Sequence, residues 1–145
     1  MIQIKRWDNK KVIFEANVST RKEAVELAVN QGVSLEYADL SYVHLRGTDL
    51  QGAHLQGAHL WRAVLCGADL QGAHLQGAHL QGAHLQGAHL QGAHLQGADL
   101  WRAVLCGADL QNANLRGANL RWVNFQEAKL QGADFSDADI RWADF

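Results

Sequence analysis

Large apolar residues recur at every fifth position from Leu35 to Phe145, where 19 leucines share the register with Phe125, Phe135, Ile140 and Phe145. Two positions before each of them the residue is small, and it is alanine in 19 of 23 cases. A period of five matches neither an α-helix nor a strand, so either element would spread these side chains over all its faces. The pattern therefore predicts a backbone that turns a corner once in each five-residue unit, or pentad.

Four corners of about 90° would close a square coil of 20 residues, and the next coil would stack on it at the strand spacing of about 4.8 Å. Leucine then fills a narrow core with alanine beside it. Thirteen of the 14 glycines lie two residues after the large apolar position, where a type II turn needs a positive φ. Nine pentads have another residue at this corner position, and there we predict type I-like corners (Tyr37, Tyr42, Arg62, Arg102, Asn112, Trp122, Glu127, Asp137 and Trp142).

Residues 1–32 lack the repeat. Residues 2–7 and 12–16 alternate in polarity like two strands on either side of a turn at residues 8–10. A β-hairpin is therefore expected before the repeats begin.

A short helix is predicted after the hairpin. Thr20 and Glu23 have the spacing of a capping box, and Gly32 supplies the C-terminal cap. A helical stripe lies between them (Ala24, Leu27, Ala28 and Gln31). We expect residues 1–32 to form a hairpin and a capping helix, with the helix as a lid on the first coil, because an open stack exposes its apolar end.

The repeat also carries a family resemblance. Segments 38–40 and 68–70 read Ala-Asp-Leu, and segments 113–115 and 118–120 read Ala-Asn-Leu. This pattern, sustained over residues 33–145, resembles the pentapeptide-repeat family. The resemblance implies an all-β solenoid, a right-handed quadrilateral β-helix of about five to six 20-residue coils. Histidine replaces Asp or Asn in many pentads, which is a departure from the family pattern.

Histidines that recur once per coil are expected to stack in columns on the outer surface. One column contains His54, His74 and His94, and its neighbour contains His59 and His79. Imidazoles about 4.8 Å apart could share zinc, nickel or copper. The alternative is a polar surface that takes up such ions only adventitiously, because a structural zinc site needs four ligands. We also expect like charges to lower the histidine pKa values below about 6.5.

The segment from Trp61 to Leu70 recurs word for word at residues 101–110, two coils further on. Tryptophan and arginine are the residues that dominate binding interfaces. The sequence therefore predicts a contact surface on one corner, with Arg102 over Trp122 in a cation–π contact (Trp61, Arg62, Trp101, Arg102, Trp122 and Trp142). The alternative is that these rings only shield the coil edges.

Cys66 and Cys106 are also two coils apart, about 9.6 Å by the strand spacing. A disulfide needs Cα atoms within about 7 Å, so both should be free thiols. Neither has an evident histidine–acid pair, so we predict no catalytic residue, no enzymatic activity and no required cofactor.

The chain ends in an enlarged set of apolar residues without a predicted lid (Phe135, Ile140, Trp142 and Phe145). Such an end favours pairing of two copies end to end. The resemblance points the same way, since some family members pair through their C-terminal coils.

The formal net charge of −2, without a basic patch, argues against direct binding of nucleic acid. No apolar run approaches the roughly 20 residues of a membrane helix, and no signal-peptide pattern opens the chain. Two cysteines are too few for a disulfide scaffold, so we expect the protein to lie in the reducing cytoplasm.

The leading hypothesis is a non-catalytic structural or interaction scaffold. Near-identity of the central pentads exceeds what packing demands, so we favour an engineered or repeat-expanded rod. Metal binding by the histidine columns is one alternative. Another is inhibition or protection of DNA gyrase by DNA mimicry, which the resemblance suggests. The 11 acidic and seven basic residues of the repeat region make too weak a negative field for it.

Overall fold

The computed structural model describes all 145 residues, and its regular elements lie in the N-terminal segment. They are β1 (Ile2–Lys5), β2 (Val12–Ala16) and α1 (Arg21–Asn30). β1 and β2 pair antiparallel as a hairpin. β1 ends two residues earlier than the alternation predicts. The Lys5 carbonyl and the Trp7 N–H bond to the repeats, which forms the bridge Arg6↔Ala38, while the backbone of Arg6 itself stays bonded within the hairpin.

Both ends of α1 are capped by local hydrogen bonds. The Thr20 hydroxyl accepts the Glu23 N–H, as in a capping box. The Glu23 carboxylate accepts the N–H of Ser19 rather than that of Thr20. At the other end, the N–H groups of Gly32 and Val33 donate to carbonyls of the last turn, and Gly32 has φ +69. This is the pattern of a Schellman motif.

The buried face of α1 differs from the predicted stripe. Ala24, Val25 and Ala28 are fully buried, whereas Leu27 is 36% exposed. The buried face is turned toward Val25 because the helix packs against β1 and β2 as well as against the core of the repeats. The Arg21 side chain also donates to backbone carbonyls of the first pentads, which ties the helix to the coil edge.

The pentads form a stack of parallel backbone bridges between residues 20 apart. The bridges run from Asp39↔His59 to Asn124↔Asp144. Each buried leucine donates its N–H to a carbonyl in the next coil, as Leu40 does to His59 at 2.8 Å. Pentad leucines from Leu35 to Leu120 are at most 1% exposed and belong to a single core of 40 residues. The five-residue register thus sets the core.

The prediction of type I-like corners is wrong. All nine corner residues other than glycine have a positive φ, between 51° at Arg62 and 61° at Trp122, just below the values of the corner glycines. In six of the nine, the corner N–H donates to a carbonyl in the next coil, as Arg62 does to Gln81. Retaining that bond requires the left-handed conformation, although it costs a non-glycine residue about 1–2 kcal/mol.

The structure contains no helix that is long and apolar enough to cross a membrane.

Candidate functional site

Tryptophan and arginine side chains line one corner of the stack, which we call the Trp/Arg corner. The Trp61 ring is 45% exposed. The guanidinium of Arg62 lies 5.7 Å from the centre of the Trp61 ring, and that of Arg102 lies 4.6 Å from the Trp101 ring. Arg102 therefore covers its own neighbour in sequence and not Trp122, which corrects the predicted pair. Each repeated Trp-Arg pair forms its own cation–π contact.

Further along the same corner, Trp122 and Trp142 stack on each other. Their ring centroids are 5.2 Å apart at 15°, and they remain 48% and 56% exposed. Arg121 and Arg141 lie 5.6 and 5.5 Å from the Trp142 ring. The hydrogen-bonded Arg141 guanidinium lowers the pKa of Asp139 to about 2. The whole corner therefore presents exposed aromatic faces beside positive charge.

The gap between Trp61 and Trp101 contains two shallow cavities. One cavity, of about 340 Å³, opens toward His59 and His79. The other, of about 420 Å³, opens over Gly82 on the opposite side. The side chains of Trp61 and Trp101 line both cavities. The space between these two rings is open because the coil between them has Gln81 and Gly82 in place of a Trp-Arg pair.

The first histidine column is brought together as the spacing predicts. The rings of His54 and His74 are 4.7 Å apart at 2°, and those of His74 and His94 are 5.0 Å apart at 10°. Burial lowers the pKa of His74, and the neighbouring imidazoles lower it further. The pKa is lowered as expected, but burial, which the sequence did not suggest, is a larger cause than the neighbouring charges.

Parallel stacking does not aim the ring nitrogens of this column at a common point, because their lone pairs lie in the ring planes. No group of three or more His, Cys, Asp or Glu side chains is placed to hold a metal ion. Metal binding by these histidines stays a prediction.

The second column is held by a residue that the sequence did not single out. Trp7 stacks on His59 with centroids 4.1 Å apart at 10°, and its indole N–H donates to the Gly57 carbonyl at 2.9 Å. His79 meets His59 edge to face at 4.6 Å. Burial lowers the pKa of His59, followed by the charge of His79. Trp7 was visible only as the end of an alternating segment.

The position before each leucine has a structural role that sequence reasoning missed. In ten pentads an Asp or Asn there accepts the N–H of the residue two positions on, as Asp69 does from Gln71 at 3.1 Å. This contact is an Asx turn that satisfies an otherwise free donor. None of the histidines at this position makes it.

Both cysteines are free, as predicted, and half-buried. The Cys66 thiol donates to the Gln86 side-chain oxygen at 3.2 Å.

The final coil leaves apolar side chains uncovered. Phe125 is buried and stacks on Phe145 at 5.2 Å, and Phe135 packs edge-on against both. Ile140 and Phe145 remain 47% and 59% exposed. Trp142 belongs to this coil too, and its ring stacks on Trp122 at the Trp/Arg corner, the other surface to which the sequence assigned it.

Comparisons with known proteins agree with this architecture. The family model described as pentapeptide repeats matches eight copies, over residues 31–60, 49–87, 83–121 and 113–145. The search of curated proteins gives no significant match.

Two solved pentapeptide repeat proteins are similar over most of the chain. One from the cyanobacterium Cyanothece is 40% identical with a TM-score of 0.61, and the match covers 69% of this chain and 65% of that one. One from the thylakoid lumen of Arabidopsis thaliana is 36% identical with a TM-score of 0.57, covering 71% and 68%. This chain thus spans about two thirds of the length of either relative.

A plasmid-mediated fluoroquinolone resistance protein, QnrB1, is 18% identical with a TM-score of 0.34, covering 77% of this chain and 63% of that one. That likeness is too weak to carry an argument about activity. Proteins of the matching family form right-handed β-helices, as the repeat was expected to do. With the family model covering residues 31–145, the chain belongs to the pentapeptide-repeat family.

Proposed function

We propose that this protein is a non-catalytic scaffold that presents the Trp/Arg corner to a protein partner and pairs with a second copy through its C-terminal coil. Pentapeptide-repeat proteins are generally structural or interaction proteins, which supports a binding role over catalysis. The observation that carries the proposal is the exposure of Trp61, Trp122 and Trp142 on one corner, at 45–56%. Tryptophan and arginine supply most interface hot spots.

The other faces are chemically monotonous. In the central pentads they repeat glutamine, glycine and histidine around a buried core of leucine and alanine. Backbone N–H groups of these faces are largely consumed by bonds within the stack. A specific partner therefore has more to recognise on the Trp/Arg corner than elsewhere along the rod.

Affinity capture with matched baits tests the partner half of the proposal. Trp61→Gln with Arg62→Gly and Trp101→Gln with Arg102→Gly gives two pentads the sequence of the plain ones, and Trp122→Gly with Trp142→Gly removes the other two indoles of the corner. Partners of the wild-type bait should be lost with this variant and kept with one altered only at the C-terminal coil. An identical set of partners on both baits would contradict a role for the corner.

Pairing is supported by the uncovered side chains of Ile140 and Phe145, which lie at the end of the hydrophobic core. Sedimentation equilibrium should show a dimer, and Ile140→Asp should convert it to a monomer because a buried unpaired charge is costly at an interface. Val12→Asp is the matched control, since Val12 is 38% exposed in β2, outside both the C-terminal coil and the Trp/Arg corner. A wild-type monomer at about 100 μM, where even weak micromolar dimers form, would refute pairing.

DNA mimicry is not proposed. The 11 acidic and seven basic residues of the repeat region, a net of −4 over residues 33–145, do not make the dense negative field that it needs.

A further inference from the structure

The two copies of the Trp-Arg segment frame a gap that neither copy would form alone. Trp61 and Trp101 are separated by one intervening coil, so their backbones lie about 9.6 Å apart along the stack by the strand spacing. At the intervening level stand Gln81 and Gly82, the residues of an ordinary pentad corner. The gap, which we call the tryptophan slot, is thus one coil deep with an indole on each side.

The floor of the tryptophan slot is kept open by two residues. Gly82 has no side chain of its own here, and the Arg62 side chain lies alongside it, since a Cβ on Gly82 would come within 3.3 Å of Arg62 Cγ. The Gln81 amide is drawn sideways, because its Nε2 donates to Asp99 Oδ2 at 2.8 Å. The cavity above Gly82 has a volume of about 420 Å³ and is lined by six residues (Trp61, Arg62, Gly82, His84, Trp101 and Arg102).

The charge around this cavity has one sign. Two guanidinium groups line it, and no carboxylate does. Asp99 lies on the other side of Gln81, where it accepts bonds from Gln81 and Asn119. Arg62 and Arg102 make no ion pair, so their charges are available to a ligand.

We propose that the tryptophan slot binds a planar aromatic anion, with its ring between Trp61 and Trp101 and its carboxylate, sulfonate or phosphate on Arg62 or Arg102. A ring held midway would lie about 4.8 Å from each indole, within the 4.5–7 Å range of favourable aromatic pairs. A guanidinium pairs with such anions through its planar fork of donors. This site goes beyond the proposed scaffold role and does not depend on it.

The probe is 2-naphthoate, titrated into the intact protein and followed by calorimetry and by NMR of the five indole N–H signals. For a ligand of its size we expect a Kd of about 1 mM or below. The indole signals of Trp61 and Trp101 should shift, and those of Trp122 and Trp142 should not. The neutral analogue 2-naphthalenemethanol should bind about fivefold more weakly, because it lacks the charge for the guanidinium groups.

Three variants separate stacking, charge and space. Trp101→Gln should weaken 2-naphthoate about tenfold by removing one wall, and Arg102→Gly about fivefold by removing one charge. These two substitutions introduce glutamine and glycine, the residues that occupy the equivalent positions at Gln81 and Gly82. The stack already accommodates this pair at a corner. Gln81→Trp keeps every proposed contact residue and fills the gap with a third indole, so it should abolish binding.

Trp122→Gly is the control, since it removes an exposed indole outside the tryptophan slot. Its affinity for 2-naphthoate should equal that of the wild type. Two results would overturn the proposal: no shift of the Trp61 and Trp101 signals at about 10 mM probe, tenfold above the expected Kd, or undiminished binding by Gln81→Trp. The titration contains no protein partner, so its result does not depend on the scaffold role. The affinity capture tests that role separately.

Discussion

Replacing His89 with asparagine should stabilise the protein by supplying a missing hydrogen bond. In ten pentads an Asp or Asn accepts the N–H of the residue two positions on. At His89 that donor, the N–H of Gln91, has no partner within the protein. His89 is exposed, and no ring stacking or side-chain hydrogen bond involves it. The substitution therefore adds a contact without removing one.

The gain is that of one hydrogen bond formed at the surface. The ten existing bonds span 2.9–3.3 Å, so Asn at position 89 should reach the Gln91 N–H with ordinary geometry. Such a bond contributes about 1 kcal/mol net. For a chain of this length that raises the melting temperature by about 3 °C. With a urea m-value near 2 kcal/mol/M, the midpoint should rise by about 0.5 M.

Urea unfolding at pH 8 measures the effect of the substitution on the free energy of unfolding. His89→Val is the control, because valine occupies the same position at Val64 and Val104 but has no acceptor. Valine is itself a favourable strand residue, so this control works against the prediction. Amide exchange of Gln91 should slow by about fivefold in the asparagine variant alone, as one kcal/mol requires. Equal midpoints for the two variants, or unchanged Gln91 exchange, would refute the reasoning.

Three further predictions concern the corners, the histidines and the hairpin. Glu127→Gly should raise the free energy of unfolding by about 1 kcal/mol by relieving a positive φ, whereas Gly72→Ala should lower it by a similar amount, although its new Cβ meets nothing within 4 Å. The pKa values of His59 and His74 are lowered in the folded state, so below about pH 6.5 the unfolded chain binds more protons and urea midpoints should fall. Flat midpoints from pH 7.5 to 5 would contradict this. Replacing both histidines with asparagine should remove the dependence of the midpoint on pH. Trp7→Leu should destabilise the docked hairpin by about 1–3 kcal/mol, because it removes a hydrogen bond and a ring stacking contact. Amide exchange in β1 should become faster while exchange in the repeats stays unchanged. Equal exchange rates in β1 of the variant and the wild type would show that these two contacts contribute nothing.

Much of the backbone was predictable because the repeat encodes it in every pentad. Burial of the pentad leucines from Leu35 to Leu120, and their bridging to residues 20 apart, follows from the period alone. The ends of α1 at Thr20 and Gly32 were also legible, since caps are local. Corners such as Trp122 were misjudged because intrinsic preference favours a negative φ. The stack overrides that preference, since the corner N–H must reach the next coil.

The candidate sites were predictable as columns and not as contacts. The sequence placed Trp61 and Trp101 on one corner, but it assigned Arg102 to the wrong ring, and it did not foresee the Gln81–Asp99 bond that keeps the slot open. The rotamers of exposed long side chains depend on their neighbours in adjacent coils, and one backbone allows several low-energy arrangements of such side chains.

By itself, the sequence therefore determined the period, the core and the family, because each rests on residues that repeat every five positions. Only the tertiary structure decided which face of α1 is buried, that Trp7 covers His59, and that the gap beside Gly82 stays open. The last two features depend on contacts between residues 18 to 52 positions apart, and the first depends on how α1 packs against the hairpin and the repeats. No local pattern carries that information, because side-chain packing is settled only once the coils are stacked.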